Sequence, residues 1–577
     1  MLAAMSTATV RVTAPTAGSP RPRPRDAAGP LADGLVVLVL VLAGVVVVAT
    51  GAQVLGLRPL ATRAGSAAAA ALVLVPLVVL GLHLRGRPER PLARDRGAPA
   101  RTLLVAAPAL VLVAVLLWSL TLPHALRVEW FVNGDHVRHL VLVADERAHG
   151  ALDYSVRGYP RAWHTTVALV RSLTGPPSER ADLVGLLDLM AGMVWLLFAA
   201  VALATASLTS ALATRAGLAP WTAAGAAATA GAATLWPAFL GNYQALGFEG
   251  SLVAALVVAV PLREVLVRPV SVTASLTAWA GLLVMAHTWQ LLLPVSGALA
   301  LVATVARVRA AAPGRRARRL AGAAGLGVVV AAASLPAMTA VVGAVGVGHA
   351  VVADVEAPVP LWLLGLGLAG TAVLAVVRRR DRALLVVLAV SVLPALTALG
   401  LAVRLGIPVT RYYPAKLLWH STILGLSMVT VVAFLAVVEA RAQRLPTLVG
   451  RGVLAVTAAV VALGAVVTPV AAFGGAWSTV DGATVLRLLD VSGAERAQVV
   501  WSGGPLVTDV ATRILLDGDR PEAGRRDTPQ GGLTVAQECD LLRAAADPTV
   551  LSDRPEAEVR RRYACVPTVT VIGPARG

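Results

Sequence analysis

The residue types best suited to chemistry concentrate in one segment of this chain, between Pro123 and Asp182. Five of the nine histidines lie there, and the run N-G-D-H-V-R-H covers Asn133 to His139. Asp135 follows an apolar stretch, where partial loss of solvent suits a carboxylate that acts as a general base or holds a divalent cation. A polar, titratable segment between apolar neighbours is the first place to expect the chemistry of this protein.

A helix that begins after Gly134 would place Asp135 and His139 on one face, with His136 three residues before His139. Carboxylate and imidazole together suit zinc or manganese, so Asp135 and His139 form a candidate metal site. A divalent ion, magnesium or manganese, is the one cofactor that the sequence suggests. The alternative is that Asp135 caps a helix and the histidines are solvated. We favour that alternative for the histidines and a chemical role for Asp135.

The remainder of the chain has the composition of a membrane protein. Of its 577 residues, 57% are hydrophobic and 14% are charged. Apolar windows long enough to cross the hydrocarbon core recur about thirteen times, and they predict an all-α polytopic membrane protein. The short sequence Ala286-His287-Thr288-Trp289-Gln290 divides the seventh window from the eighth. The predicted spans are 33–56, 66–84, 102–122, 183–206, 217–236, 250–267, 271–288, 290–306, 320–342, 360–377, 383–403, 417–438 and 452–473.

The net charge of +18 is unevenly distributed along the chain. With the N-terminus in the cytoplasm, the arginine-rich tail and the loops 85–101, 307–319, 378–382 and 439–451 lie inside and contain the excess of positive charge. This is the distribution that the positive-inside rule describes. We therefore predict a multi-pass protein of the cell membrane that contacts membrane lipids, and the charge requires no nucleic-acid partner.

Three regions follow from this topology. Residues 1–30 are predicted to be a disordered cytoplasmic tail, because they are polar and rich in proline. Residues 31–473 form the transmembrane domain, with a large outer loop at 123–182. Residues 474–577 then form a small extracytoplasmic α/β domain.

The predicted C-terminal domain contains both cysteines of the chain, Cys539 and Cys565. An oxidising compartment favours a disulfide between them. Strands are predicted at Ala497–Trp501 and Thr568–Ile572, and helices at Thr508–Leu516 and Val535–Ala546.

A second group of polar residues begins at Arg411. Lys416 is the only lysine among 50 basic residues, and it stands at the outer entrance of a predicted span. A compact ammonium suits a phosphate oxygen, and the Arg411 guanidinium can bind phosphate through two hydrogen bonds. The alternative is a lysine that extends its charge to the membrane interface. The residues predicted at outer helix ends are candidate substrate contacts: Glu249, His287, Arg411, Tyr412, Tyr413, Lys416 and His420. An interfacial aromatic belt accounts for most of Trp130, Trp163, Trp289 and Trp419, although aromatic rings also stack on sugar faces.

The sequence Gly158-Tyr159-Pro160-Arg161-Ala162-Trp163-His164 completes a pattern with Asp135-His136. An acidic residue in the first large outer loop, followed by Y-P-x-x-W, resembles membrane-embedded GT-C glycosyltransferases. It is most similar to the mycobacterial cell-wall arabinofuranosyltransferases, which use a polyprenyl-phosphate sugar donor. The resemblance implies a GT-C-like bundle and a catalytic Asp135. It also implies substrate contacts from His136, His139, Tyr159, Trp163 and His164.

These observations predict an inverting glycosyltransferase on the outer face. A polyprenyl-phosphate sugar, arabinofuranose-like in the resemblance, would be transferred to a polysaccharide or glycolipid acceptor of the cell envelope. The sequence contains no nucleotide-binding motif, so the donor should be membrane-borne. The main alternative is a transporter or flippase for a lipid-linked or small polar solute. That class predicts an internal repeat and polar residues on both sides of the midplane. A non-catalytic protein of cell-envelope assembly ranks third.

Overall fold

The computed structural model of the chain describes residues 28–85, 97–132, 134–152, 154, 161–175, 183–234, 249–346, 361–377, 382–442, 459, 463, 480–518 and 533–574. Most of the predicted N-terminal tail and of the predicted span 452–473 lies outside these residues. Tyr159 and Pro160 of the Y-P-x-x-W pattern also lie outside them.

Long helices occupy twelve of the thirteen predicted spans, and three shorter helices lie in the predicted outer loop. In chain order, the first eight helices are α1 (Gly29–Val54), α2 (Arg63–Arg85), α3 (Ala98–Ser119), α4 (His124–Glu129), α5 (Gly134–His149), α6 (Ala162–Thr174), α7 (Leu183–Arg215) and α8 (Pro220–Ala233). The next seven are α9 (Glu249–Val267), α10 (Val272–Ala286), α11 (Leu293–Arg309), α12 (Pro313–Gly346), α13 (Leu361–Val377), α14 (Arg382–Leu405) and α15 (Tyr412–Ala442).

Nine helices in the described part of the chain are long and apolar enough to cross a membrane. They are α1, α2, α3, α7, α9, α11, α12, α14 and α15. The helices α8, α10 and α13 coincide with predicted spans but are shorter, at 14, 15 and 17 residues. The protein is therefore a helical polytopic membrane protein, and the total of thirteen spans stays a prediction.

The structure separates α10 from α11, as the sequence predicted. α10 ends at Ala286, a short 3-10 turn covers Gln290–Leu292, and α11 begins at Leu293. Pro294 suits this start, because proline in the first turn of a helix leaves no intrahelical hydrogen bond unmade. Residues His287 to Trp289 form the break between the two helices.

Two glycines allow α13 and α15 to cross closely. A Cβ atom at Gly425 would lie 2.6 Å from the Cα of Gly367. A Cβ atom at Gly370 would lie 3.3 Å from the Cα of Val429. Small residues at such a crossing let helix backbones approach, which is how helices associate in lipid. α14 packs against both helices and α15 also packs against α7 and α8.

Contacts between helix ends fall into two groups. At one end of the bundle, the Arg215 Nη1 donates to the Leu266 carbonyl over 2.6 Å, and Arg268 lies 3.6 Å from Asp33. At the other end, the Leu60 N–H donates to the Gly150 carbonyl over 2.7 Å. Each contact joins residues that the sequence placed on one side of the membrane. Which end faces the cytoplasm stays a prediction.

The C-terminal segment contains both helices and strands, and its standing as a separate domain stays a prediction. Its elements are α16 (Gly482–Leu489), β1 (Val499–Val500), α17 (Leu506–Gly518), α18 (Val535–Ala544), β2 (Thr549–Leu551), α19 (Glu556–Arg562) and β3 (Thr570–Ile572). The strands form a parallel sheet in the order β1-β2-β3. Of the four predicted elements, all are present within a few residues of their predicted bounds. The strand β2 and the helices α16 and α19 were missed, because they are too short to give a periodic pattern.

In the structure, Cys539 of α18 and Cys565 form a disulfide. The bridge attaches α18 to the chain between α19 and β3. Buried side chains of Val499, Leu542 and Tyr563 pack around it and form a small core of this segment.

The C-terminal segment packs on the predicted outer loop. α17 lies against α5, and α16 lies against α4. Val485 of α16 and Leu515 of α17 belong to the same apolar core as Val137 and Leu140 of α5. The helices of the predicted loop and the C-terminal segment therefore pack together.

Candidate functional site

Helices α5 and α6 bring two of the predicted site histidines into contact. His139 and His164 are both buried, and the His139 Nδ1 lies 2.7 Å from the His164 Nε2. Such a bond needs one donor nitrogen and one acceptor nitrogen, so both rings cannot be doubly protonated while it lasts. The interpretation that His139 is solvated, which was made for His136 as well, is wrong, because α5 buries both side chains. His136 is buried as well and stacks on the Phe131 ring at 4.6 Å between centroids.

Asp135 lies in the first turn of α5. The expected helix after Gly134 is present, so positions 135 and 139 share one face at four-residue spacing. The side chain of Asp135 lies outside the described part of the structure. The metal site at Asp135 and His139 therefore stays a prediction.

A buried ion pair joins the same two elements, and sequence reasoning missed it. The Arg161 Nη1 lies 2.9 Å from the Glu146 Oε1, and both side chains are fully buried. The Thr165 hydroxyl donates to the other oxygen of Glu146 over 3.3 Å. Helical spacing places Glu146 on the same face of α5 as His139, seven residues earlier, but it does not indicate the pairing with Arg161. The pair fixes the start of α6 against α5.

His287 at the end of α10 is held through both ring nitrogens. Its Nε2 donates to the Ala333 carbonyl over 2.8 Å, because a carbonyl can only accept. In the neutral ring the Nδ1 is then the acceptor, and it receives the Tyr154 hydroxyl proton over 2.7 Å. Burial, with the negative charge of Glu146 nearby, raises the pKa of Tyr154 far above its usual range and keeps that proton in place. His287 thus connects the loop to α10 and α12.

The break between α10 and α11 contacts both predicted groups of site residues. On one side, the Ala162 N–H at the start of α6 donates to the His287 carbonyl over 2.8 Å. On the other side, the Trp289 ring lies 5.1 Å from the His420 ring of α15. His287 and Trp289 are two residues apart, so about 7 Å of backbone separates the two contacts. The start of α6, two residues before His164, and the His420 ring of α15 therefore both contact one short break.

Lys416 and His420 occupy the first turns of α15. The spacing of four residues places them on one face, and both side chains are buried. The Lys416 Nζ lies 6.0 Å from the centre of the Tyr413 ring, at the outer limit of a cation–π contact. Arg411 stands just before the helix, where its carbonyl accepts the Ala415 N–H. The alternative of a lysine that extends to the interface does not hold, since Lys416 is only 4% exposed.

Several buried polar atoms around this break lack a hydrogen-bond partner among the described residues. They are the His420 Nε2, the Thr288 Oγ1 and the Ser391 Oγ. Ser391 lies next to α15, since its carbonyl accepts the Ser421 hydroxyl over 2.7 Å. A polar group bound at this place would satisfy these three atoms.

The expected aromatic belt is a wrong interpretation. Trp130, Trp163, Trp289 and Trp419 are all buried in the protein. Trp130 packs on Trp195 at 5.1 Å, and Trp163 lies in the main apolar core. Tryptophan buries more area than any other side chain, which explains why helix packing takes these rings inside.

The structure describes other predicted site residues only in part or not at all. Tyr159 lies entirely outside the described residues. Glu249 and Tyr412 are the first residues of α9 and α15, and only their backbones are described. Their proposed substrate contacts stay predictions.

No protein-family model matches the sequence, and neither the curated proteins nor the solved structures gave a match. The fold by itself defines a helical polytopic membrane protein whose loop helices and C-terminal α/β segment pack together. The candidate site lies where the loop helices, the α10–α11 break and the start of α15 meet.

Proposed function

We propose that the protein is an inverting glycosyltransferase that takes its sugar from a polyprenyl phosphate. The observation that carries the proposal is the contact of one short break, His287 to Trp289, with the start of α6, which contains His164, and with His420 of α15. The loop helices bring Asp135, His139 and His164, and the start of α15 brings Lys416 and His420. An acceptor and a lipid phosphate could therefore meet at one centre between helices.

The donor phosphate is assigned to the α15 side. Lys416 is a buried cation, and a charge in a buried site favours an anionic partner more strongly than a charge in water. The unsatisfied atoms of His420, Thr288 and Ser391 lie around the same break and suit a polar head group. A phosphate that leaves the sugar needs charge stabilisation rather than a strong acid, and the Lys416 ammonium provides it.

The acceptor is assigned to the loop side. Asp135 removes the proton from the acceptor hydroxyl as that oxygen forms a bond with the anomeric carbon. The bond from the anomeric carbon to the phosphate oxygen breaks, and the configuration inverts. A divalent ion, if bound by Asp135 and His139, would orient the same hydroxyl. The C-terminal segment, which packs on α4 and α5, would guide a polymeric acceptor on the outer face of the cell membrane.

The replacement Asp135→Asn tests the proposal. It should lower the release of polyprenyl phosphate from a panel of polyprenyl-phosphate sugars by about 10² to 10⁴-fold, the usual contribution of a general base. The matched control is Asp490→Asn, which removes an exposed carboxylate of the C-terminal segment and should leave the rate unchanged. Retained release by Asp135→Asn would overturn the assignment.

Lys416 provides a separate test. Lys416→Gln should raise the KM for the lipid donor about tenfold or more, whereas Lys416→Arg should retain part of the affinity because it keeps the charge. A purified protein that releases no polyprenyl phosphate but moves the lipid-linked sugar between leaflets of vesicles would favour the flippase.

A further inference from the structure

Six arginines surround the turn between α11 and α12. Arg307 and Arg309 end α11, and four more occupy the first two turns of α12: Arg315, Arg316, Arg318 and Arg319. No aspartate or glutamate occurs between Glu264 and Asp354. Within the part of the chain that the structure describes, none of these six guanidinium groups forms an ion pair. The turn therefore carries a concentrated positive charge.

Two of the arginines hold the turn together. The Arg319 Nη1 donates to the Arg307 carbonyl over 2.7 Å, and the Arg316 Nε donates to the Ala311 carbonyl over 3.2 Å. These bonds satisfy carbonyls at the end of α11 and fix the two helices side by side. Arg309, Arg315, Arg316 and Arg318 remain exposed. The charge is thus held in a defined arrangement on a rigid hairpin.

The same face of α12 continues as an exposed apolar surface. Leu320 is 58% exposed, Val328 is 68% exposed and Leu335 is 61% exposed. Leu320, Val328 and Leu335 follow one another at intervals of eight and seven residues, so they share one face of the helix, and Arg316 lies about one turn before Leu320. In a membrane protein such a face contacts acyl chains, and the arginines at its end then lie at the level of the head groups.

The position of these charges has an energetic consequence. The first turns of α12 contain four arginines and no acidic residue, although the N-terminal end of a helix favours negative charge. Repulsion between the arginine side chains adds to the unfavourable interaction with the helix dipole. Phosphate groups at the membrane surface would offset both effects, since guanidinium binds phosphate through paired hydrogen bonds.

We propose that this α11–α12 turn is a binding surface for anionic phospholipids of the adjacent leaflet. Phosphatidylglycerol-type head groups contact the exposed arginines, while their acyl chains lie along Leu320, Val328 and Leu335. The site is at the end of the bundle opposite the α10–α11 break. It is therefore independent of the proposed glycosyl transfer.

The experiment uses the full-length protein, extracted with lipid from vesicles that contain equal amounts of phosphatidylglycerol and phosphatidylcholine. Native mass spectrometry measures the ratio of the two lipids that remain bound. The wild type should retain phosphatidylglycerol in excess, and Arg315→Gln/Arg316→Gln/Arg318→Gln should lower that ratio at least about fivefold, since each basic side chain near an anionic surface contributes about that factor.

A matched control removes three exposed arginines at the other end of the bundle, Arg58→Gln/Arg63→Gln/Arg404→Gln, and should keep the wild-type ratio. Soluble glycerol phosphate in excess should not displace the bound lipid, because it lacks the acyl chains. An unchanged ratio in the α12 variant would overturn the proposal. Equal retention of both lipids by the wild type, or full displacement by glycerol phosphate, would also overturn it.

Discussion

At the scale of single residues, the site is built from side chains that hold each other in place. His139 bonds to His164, Arg161 pairs with Glu146, and His287 is fixed through both nitrogens. Buried networks of this kind rigidify a site when each member has its partners. The His420 Nε2, the Thr288 Oγ1 and the Ser391 Oγ lack a hydrogen-bond partner among the described residues.

Asp509 of α17 gives a prediction about pH. Burial, together with the charges of Glu538 and Asp553, raises its pKa to about 6. The hydrogen bonds from Ser502 lower the pKa but do not outweigh burial. A raised pKa means that the folded state binds the proton more tightly than the unfolded state. The stability that this carboxyl contributes is therefore complete below about pH 4 and is lost as the pH rises through about 6, by up to about 3 kcal/mol.

The replacement Asp509→Asn should remove this loss. An asparagine oxygen can still accept the Ser502 N–H, which lies 2.7 Å from the Asp509 Oδ1. The Tm of the variant, measured between pH 4 and pH 7, should fall less than that of the wild type. Asp490→Asn, at an exposed position, should follow the wild type. A variant that loses as much stability as the wild type would contradict the assignment.

At the scale of secondary-structure elements, α13 and α15 depend on a glycine contact. A Cβ at Gly425 would approach backbone atoms of Gly367, which cannot move away by a rotamer change. Gly425→Ala should therefore destabilise the protein by about 1–3 kcal/mol, the usual cost of overpacking. The measurement is the Tm of the purified protein in detergent.

The control for this prediction is Gly400→Ala in α14, where no atom lies within 4 Å of the added Cβ. It should leave the Tm unchanged or raise it, because alanine favours a helix by about 0.5–1 kcal/mol over glycine. Equal effects of the two replacements would show that the crossing tolerates a methyl group.

The elements were more predictable than their contacts. Apolar windows located twelve helices, because a span must bury its whole length in lipid and therefore shows a long apolar run. The ion pair of Glu146 and Arg161 and the joint at His287 were missed. Each depends on residues far apart in the chain, and no local pattern records such a pairing.

At the scale of the whole molecule, the C-terminal segment and the loop helices support each other. Gly482 of α16 lies against α4, where a Cβ would come within 2.8 Å of the Glu129 Cα. Burial and the nearby Asp481 carboxylate raise the pKa of Glu129, so this contact also brings two acidic groups together. The packing of α16 on α4 therefore requires a close approach of the two backbones, and it tolerates repulsion between Glu129 and Asp481.

Gly482→Ala should weaken this packing by about 1–3 kcal/mol. Hydrogen exchange in α5 and α17 should then rise about tenfold, since protection follows the free energy of local opening. Gly503→Ala is the control in the same segment, because its Cβ would meet only the Asp553 carboxylate at 3.6 Å. Unchanged exchange in the Gly482 variant would argue that α4 and α16 do not hold the loop helices and the C-terminal segment together.

The sequence by itself determined the class of the protein, most of its helices and the residue types of the candidate site. Composition and periodicity can be read from a short stretch of sequence, because every span needs a long apolar run to cross the hydrocarbon core. Only the tertiary structure decided that the predicted solvated histidines and interfacial tryptophans are buried, and that the α10–α11 break contacts both α6 and α15. The free energy of a fold depends on contacts between distant segments, and these exist only once the helices have packed.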